Sequence, residues 1–374
     1  MRAFNEISGV PSTSNTDLIR TLLKIHWNFQ GFVVSDWQSV QQLEDHGIAA
    51  DDSQAAEIAV EAGVDMEMVS QCYYYNLEQL VQTGQVSESL VDEAVWRILY
   101  QKAQLGLFDD PFRFCNASRE QNYTNNPDSR AHGRASGRES VVLLKNSGNL
   151  LPLSKSLKVA VIGPLANDSL NMLGPWTVPW DEYAPIVTLW QAMGSVIPSQ
   201  NIFYSQGCDI NSTNTSGFQG AINVAKQADV VVMSMGEASN MSGEDNSRAF
   251  LRFPGVQELL IQTIFNATGK PIVLIIHAGR PLIFPWSVQN IPSILYAWFL
   301  GSEAGNSLVD ILFGAYSPSG KLPVSFPRAE GQIPVYYDHK NTGRPNLIRY
   351  LDLPITPEFP FGFGLSYTTF NYSN

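Results

Sequence analysis

The sequence predicts an α/β protein made of two successive series of strands and helices. Two observations carry this reading. The first hundred residues alternate helix and strand at the spacing of βα repeats, and after residue 140 a second series of continuous apolar runs begins, separated by helices. With 374 residues, 44% hydrophobic and 16% charged, the chain can bury large cores, and roughly two or three domains are expected.

In chain order, residues 16–26 place Leu18, Ile19, Leu22 and Leu23 on one helical face, and Gly31 then opens the strand GFVVSDW at 31–37. Residues 53–62 read as a helix with Gly63 as its C-cap, and VDMEM at 64–68 reads as the next short strand. An SxxD start at Ser89, with Asp92, precedes Leu90, Ala94, Val95, Ile98, Leu99 and Leu105, an amphipathic helix closed by Gly106. Residues 1–108 are therefore expected to form one domain. Residues 109–139 lose periodicity, fill with Asp, Asn, Arg and Pro, and read as a linker. In 140–330, the runs VVLLKN, KVAVIG, ADVVVMSM, PIVLIIHAG and SILYAWFLG, with helices at 255–265 and 304–313, predict an α/β sandwich around a parallel sheet covered on both faces. Residues 331–374, including LDLPITPEFPFGFGLSYTTF, read as a C-terminal strap.

The formal net charge of −12 argues against nucleic acid or an anionic membrane as partner, because phosphate contacts need clustered Lys and Arg. No run approaches the ~18 apolar residues of a membrane span, and MRAFNEISGV lacks the apolar core of a signal peptide. Cys72, Cys115 and Cys208 make no CxxC pair, and neither they nor His26 and His132 show metal-ligand spacing. The run KVAVIGPLAND lacks the GxGxxG spacing of a dinucleotide site, and GxxxxGK[ST] is absent. Eight NxS/T sequons, at Asn116, Asn122, Asn167, Asn211, Asn214, Asn240, Asn266 and Asn371, exceed the roughly three expected by chance and hint at a secreted, glycosylated parent.

The chemistry concentrates in two places. In GFVVSDW a carboxylate, Asp36, and an indole, Trp37, arrive where a buried strand should stop, and α/β barrels carry their working side chains at such carboxyl ends. A Trp there offers a flat face to a sugar ring; the plainer alternative is a capping Asp beside a core Trp. The strand ADVVVMSM empties into GEASNMSGEDNSR at 236–248, too polar to extend a sheet. There Glu237 and Glu244 are the acids of interest and Arg248 is a cation able to orient or discharge one of them; the plainer alternative is a solvated loop. Met66, Glu67 and Met68 could touch ligand or end a core strand. His277 reads as a satisfied sandwich histidine, and Tyr336, Tyr337, Asp338 and His339 as a late loop.

The motifs FNEISGVPSTSN, LLKIHWNFQGFVVSDW, AGVDMEM, VVLLKNSGNLLPL, MSGEDNSR, GKPIVLIIHAGRPL, GSEAGNSLVDILFG, SPSGKLPVSFP and FPFGFGLSYTTF, in this order, resemble glycoside hydrolase family 3, the β-glucosidase and β-xylosidase group. The resemblance implies the C-terminal part of a (β/α)8 TIM-like barrel followed by an (α/β)6 sandwich. It implies Asp36 as nucleophile, Glu244 as acid/base with Glu237 as fallback, and Trp37, Met68 and Arg248 in substrate binding. A glycan at Asn240 would crowd the Glu244 loop. No cofactor and no metal are expected; the partner is an oligosaccharide or aryl β-glycoside. Met1 falls inside the barrel of such relatives, and Asn374 falls where many of them start a fibronectin-III-like domain, so both ends look cut; the sequons lead to the expectation of a secreted or extracellular parent. The expected function is a retaining exo-β-glycosidase, a β-glucosidase. The alternatives are a β-xylosidase or α-L-arabinofuranosidase, or an inactive fragment whose open barrel would expose apolar faces.

Overall fold

The computed structural model describes residues 1, 3–177, 185–344 and 350–370. The sequon at Asn371 and parts of the predicted strap, 345–349 and 371–374, lie outside the described residues. The chain divides into two compact units, Met1–Ala117 and Ser118–Asn374.

Unit 1 starts with a two-residue hairpin, β1 (Glu6–Ile7) against β2 (Val10–Pro11). The helix at Asp17–His26 is wound in π fashion, its last turn closed by the Trp27 N–H on the Leu22 carbonyl at 2.9 Å. It leads to β3 (Val34–Trp37), which pairs in parallel with β4 (Met66–Met68). Between the strands runs α1 (Asp52–Ala62), capped by the Asp51 carboxylate on the Gln54 N–H and ended by Gly63 at φ 99°. Then come α2 (Cys72–Gln82) and α3 (Glu88–Gln104). The helix from Ser89 thus begins earlier, with Ser87 at its N-cap. Ile19, Val33, Val40, Leu43 and the Ala55–Ala59–Val60 face of α1 form the core.

Unit 2 opens inside the stretch read as a linker. Residues 117–140 hold two helices, α4 (Ala117–Tyr123), at the division between the units, and α5 (Pro127–Ser140). The cap explains α5: the Asn126 side chain accepts from the Ser129 N–H, and Pro127 occupies the first turn. Its few apolar residues hid it, because it docks through charge, Arg134 making a bidentate pair with Asp310 at 2.6 and 2.7 Å.

The sheet has six strands, β5 (Val142–Asn146), β6 (Val159–Ile162), β7 (Ile202–Ser205), β8 (Val230–Gly236), β9 (Ile272–His277) and β10 (Ser293–Tyr296). Their order is β5-β10-β9-β8-β6-β7, and all neighbours are parallel except β5, which runs antiparallel to β10. Alternate residues enter two cores. Val231, Met233, Leu274 and Ile294 meet α7 (Phe218–Lys226) and α8 (Gln257–Thr268). Val230, Val232, Val273 and Leu295 meet α6 (Leu189–Met193) and α10 (Ala304–Leu312). A short α9 (Pro285–Asn290) precedes β10. Beyond α10 the chain returns along the open edge of β5, where the Leu365 N–H donates to the Leu143 carbonyl at 2.9 Å.

Candidate active site

In unit 1 the register places Val34 opposite Met66 and Trp37 opposite Met68, so β3 spends one more residue than β4 over the same span. That bulge contains Asp36. An extra residue in one strand re-aims side chains, which is why bulges recur beside sites. The bulge is held by hydroxyls. Buried Ser35 accepts the Met68 N–H at 2.7 Å and donates to the Asp36 carbonyl at 2.9 Å. The Asp36 N–H donates to Ser39 Oγ at 3.1 Å, and Thr13 donates to the same oxygen at 3.2 Å. Asp36 Oδ1 accepts the Trp37 N–H at 2.8 Å, and Oδ2 has no partner among the described residues. Asp36 is half-buried, whereas Trp37 is 58% exposed. Gln38 and Val69, which follow the two strand ends, sit at φ 55° and 73°. For a β-branched valine that is an outlier, of the kind that clusters at functional turns.

Met68 is half-buried at the end of β4. An open groove of about 750 Å³ continues past it, lined by Met66, Glu67, Val69 and Tyr73–Tyr75. Burial raises the Glu67 carboxyl above its ordinary value, against hydrogen bonds that include Ser70. At the opposite end of the pair, Asp65 accepts the Val33 N–H and the Lys24 ammonium, both at 2.7 Å, and Lys24 reaches Glu93 at 3.3 Å. Arg20 and Arg97 also bind Glu93, at 3.0 and 2.9 Å. This network anchors the foot of the strands.

In unit 2, β8 ends at Gly236, where φ is 142° and a Cβ would run into the His277 carbonyl. Glu237 follows and is fully buried. Its Oε1 takes Arg248, and its Oε2 takes Arg280 Nε at 3.2 Å and Ser242 Oγ at 3.3 Å. Glu244 is exposed, between Gly243 at φ 100° and Asp245 at φ 59°; its carboxylate has no partner among the described residues. Arg248 is half-buried on Glu237 rather than beside Glu244. Arg280 drew no separate notice in the sequence; its signal is a cation just after an apolar strand that neighbours β8.

His277 is buried with Nδ1 3.0 Å from the Trp298 carbonyl and Nε2 3.2 Å from Ser234 Oγ. Nδ1 therefore donates and Nε2 accepts; burial lowers its pKa to about 4. It is the satisfied histidine expected of a sandwich core. Among the described residues no cluster of His, Cys, Asp and Glu could hold a metal, and no helix is long and apolar enough to cross a membrane.

Strand pairs and sheets that offer carboxylates at their C-terminal ends define a class of α/β proteins built around strand-end sites. The profile of the glycosyl hydrolase family 3 C-terminal domain matches residues 141–367, and that of the family 3 N terminal domain matches residues 1–100. The chain belongs to glycosyl hydrolase family 3. It is 40% identical over 407 residues to a periplasmic beta-glucosidase of Salmonella typhimurium, covering 100% of this chain and 53% of that protein. It is 37% identical to a beta-xylosidase of Formosa agariphila, covering 100% and 53%. The crystal structure of a beta-glucosidase from Listeria innocua in complex with isofagomine superposes with a TM-score of 0.91 at 38% identity, over 98% of this chain and 51% of that one. The chain spans about half the length of the curated relatives it matches.

Proposed function

We propose that this chain carries the catalytic carboxylates of a retaining exo-β-glycosidase that removes terminal β-D-glucosyl residues. Asp36 attacks the anomeric carbon to form a glycosyl ester, while Glu244 protonates the departing oxygen; Glu244 then deprotonates the water that hydrolyses the ester. The observation that carries this reading is the bulge: it sets Asp36 beside an exposed indole with one carboxylate oxygen held and the other open. Glu244 is preferred to Glu237 because a proton donor needs a reachable carboxyl, and both oxygens of Glu237 are engaged out of solvent. Trp37, Met68 and Arg248 are assigned to the substrate side, the first two by contact and Arg248 through its loop.

Glucose as the sugar is supported by the Salmonella relative and by Listeria innocua beta-glucosidase structures with glucose and with laminaribiose. A β-xylosidase is the second reading, supported by the Formosa agariphila relative. A non-cytosolic parent is supported by relatives called periplasmic and, in Dictyostelium discoideum, lysosomal.

The test is hydrolysis of aryl β-glucosides and aryl β-xylosides by the 374-residue chain and by Asp36→Asn. Turnover is expected with the glucoside, falling by about 10⁴–10⁶-fold in the variant, the scale on which enzymes lose a covalent nucleophile. Preference for the xyloside would transfer the assignment to the second reading. A folded sample with no turnover would remove the activity from this polypeptide.

A further inference from the structure

The loop after β8 is secured by charge. Glu237 is fully buried, and an isolated carboxylate in that position would be strongly unfavourable, so the guanidiniums of Arg248 and Arg280 are what make it tenable. Arg280 follows β9, 32 positions beyond Arg248, so the two cations reach the carboxylate from different parts of the chain. Arg280 does more than neutralise it. Its Nη2 donates to the backbone carbonyls of Met241 and Asn246, the latter at 2.7 Å, and approaches Ser242 Oγ at 3.3 Å.

Met241 and Asn246 flank Glu244. The chain between them is therefore an arc with both feet on one guanidinium, bent back by the positive φ angles of Gly243 and Asp245 and closed by the Asn246 amide on the Glu244 carbonyl at 2.9 Å. Upstream, the Ser239 N–H is held by Asn171 Oδ1 at 2.7 Å. The Glu244 side chain is left to project from the apex without a partner among the described residues.

We propose that Glu237 and Arg280 are positioning residues for the proton donor Glu244: the buried carboxylate fixes the guanidinium, and the guanidinium fixes the arc. The inference rests on the role of Glu244 given above. A donor must sit within hydrogen-bond reach of the leaving oxygen, and a displacement of about 1 Å can cost 10²-fold in rate.

The experiment uses the full 374-residue chain with Glu237→Gln, Arg280→Lys and Glu244→Gln. Arg280→Lys keeps the charge while losing the fork, and it stands in if Glu237→Gln does not fold. Two aglycones are compared, a dinitrophenyl glucoside, whose departure needs no proton, and an alkyl glucoside, whose departure does. Loosening the arc should lower kcat/KM, which reports glycosyl-ester formation alone, by about 10²-fold for the alkyl glucoside and little for the dinitrophenyl glucoside. The kcat of the dinitrophenyl glucoside should still fall, because Glu244 also serves the water step; Glu244→Gln should show the same split in stronger form. In parallel, amide hydrogen exchange should quicken across residues 239–247 while β8 and β9 stay protected.

Equal loss of kcat/KM on both aglycones, or no loss on either, overturns the proposal. So does unchanged exchange in 239–247. If the parent chain turns over neither glucoside, the proposed function falls, and exchange alone then decides whether the tether exists.

Discussion

The two units each hold an acidic residue at the end of a parallel strand, and they do so by opposite means. In unit 2 the sheet is six strands wide and apolar on both faces, so its charges are spent at the rim, where Arg248 and Arg280 grip Glu237. In unit 1 two parallel strands pair among the described residues. Charge is buried at their foot in Lys24 and Asp65, with half-buried Glu93 beside them, and the bulge that carries Asp36 is secured by the hydroxyls of Ser35, Ser39 and Thr13. A wide sheet buries enough apolar surface to dictate its own register. A pair of short strands depends on specific polar contacts, each of which can be removed one at a time.

The largest stability effect should come from the foot of unit 1. Lys24 and Asp65 are nearly inaccessible, and removing one partner of a buried pair is expected to cost about 3–5 kcal/mol. Lys24→Met should therefore lower the urea midpoint of unit 1 sharply, and adding Asp65→Asn should recover part of the loss. A cost below about 1 kcal/mol would mean that apolar packing holds unit 1 after all.

Acid should separate the units next. Burial keeps His277 neutral down to about pH 4, against an ordinary value of 6.5, so between these values the unfolded chain binds a proton that the folded one refuses. Stability of unit 2 is then full above pH 6.5 and declines by up to about 3 kcal/mol as pH falls toward 4. His277→Gln should flatten that slope. In unit 1, partial burial works to raise Glu93, but Arg97, Arg20 and Lys24 outweigh it and hold the carboxyl at about 2. Its contribution is present above the ordinary value of 4.5 and is lost as pH falls toward 2. Hydrogen exchange resolved by unit should show unit 2 weakening at a higher pH than this Glu93-linked loss in unit 1; the reverse order would contradict these assignments.

The smallest effect is confined to the bulge. Ser35→Ala leaves the Met68 N–H without its acceptor and should cost about 1–3 kcal/mol, with faster exchange of that one amide. A change of the same size spread over unit 1 would show that Ser35 supports the fold rather than the bulge.

Much of this was legible in local pattern. The runs at 141–146, 158–163, 228–235, 271–279 and 293–301 all contain strands, and the helices after Asp51 and Pro254 form, because apolar periodicity and caps are local signals. The strand β7, IFYS, escaped because it is a half-exposed edge strand without a continuous apolar run. The antiparallel sense of β5 escaped because direction is a property of pairing. The helix α5 left only its Asn126–Pro127 start as a signal.

The candidate site divides in the same way. An Asp beside a Trp at a strand's end, and acids in a glycine-rich loop after another strand, can be read from neighbours in sequence, since strand termination and loop exposure depend on residues a few positions apart. That Asp36 occupies a bulge follows from the register of β3 on β4, set some thirty residues away. That Glu237 is sealed follows in part from an arginine 43 positions beyond it, whereas Glu244 has no side-chain partner among the described residues. Hydrogen bonds and ion pairs join whatever the folded backbone brings within about 3 Å, and no local pattern records which distant residue that will be.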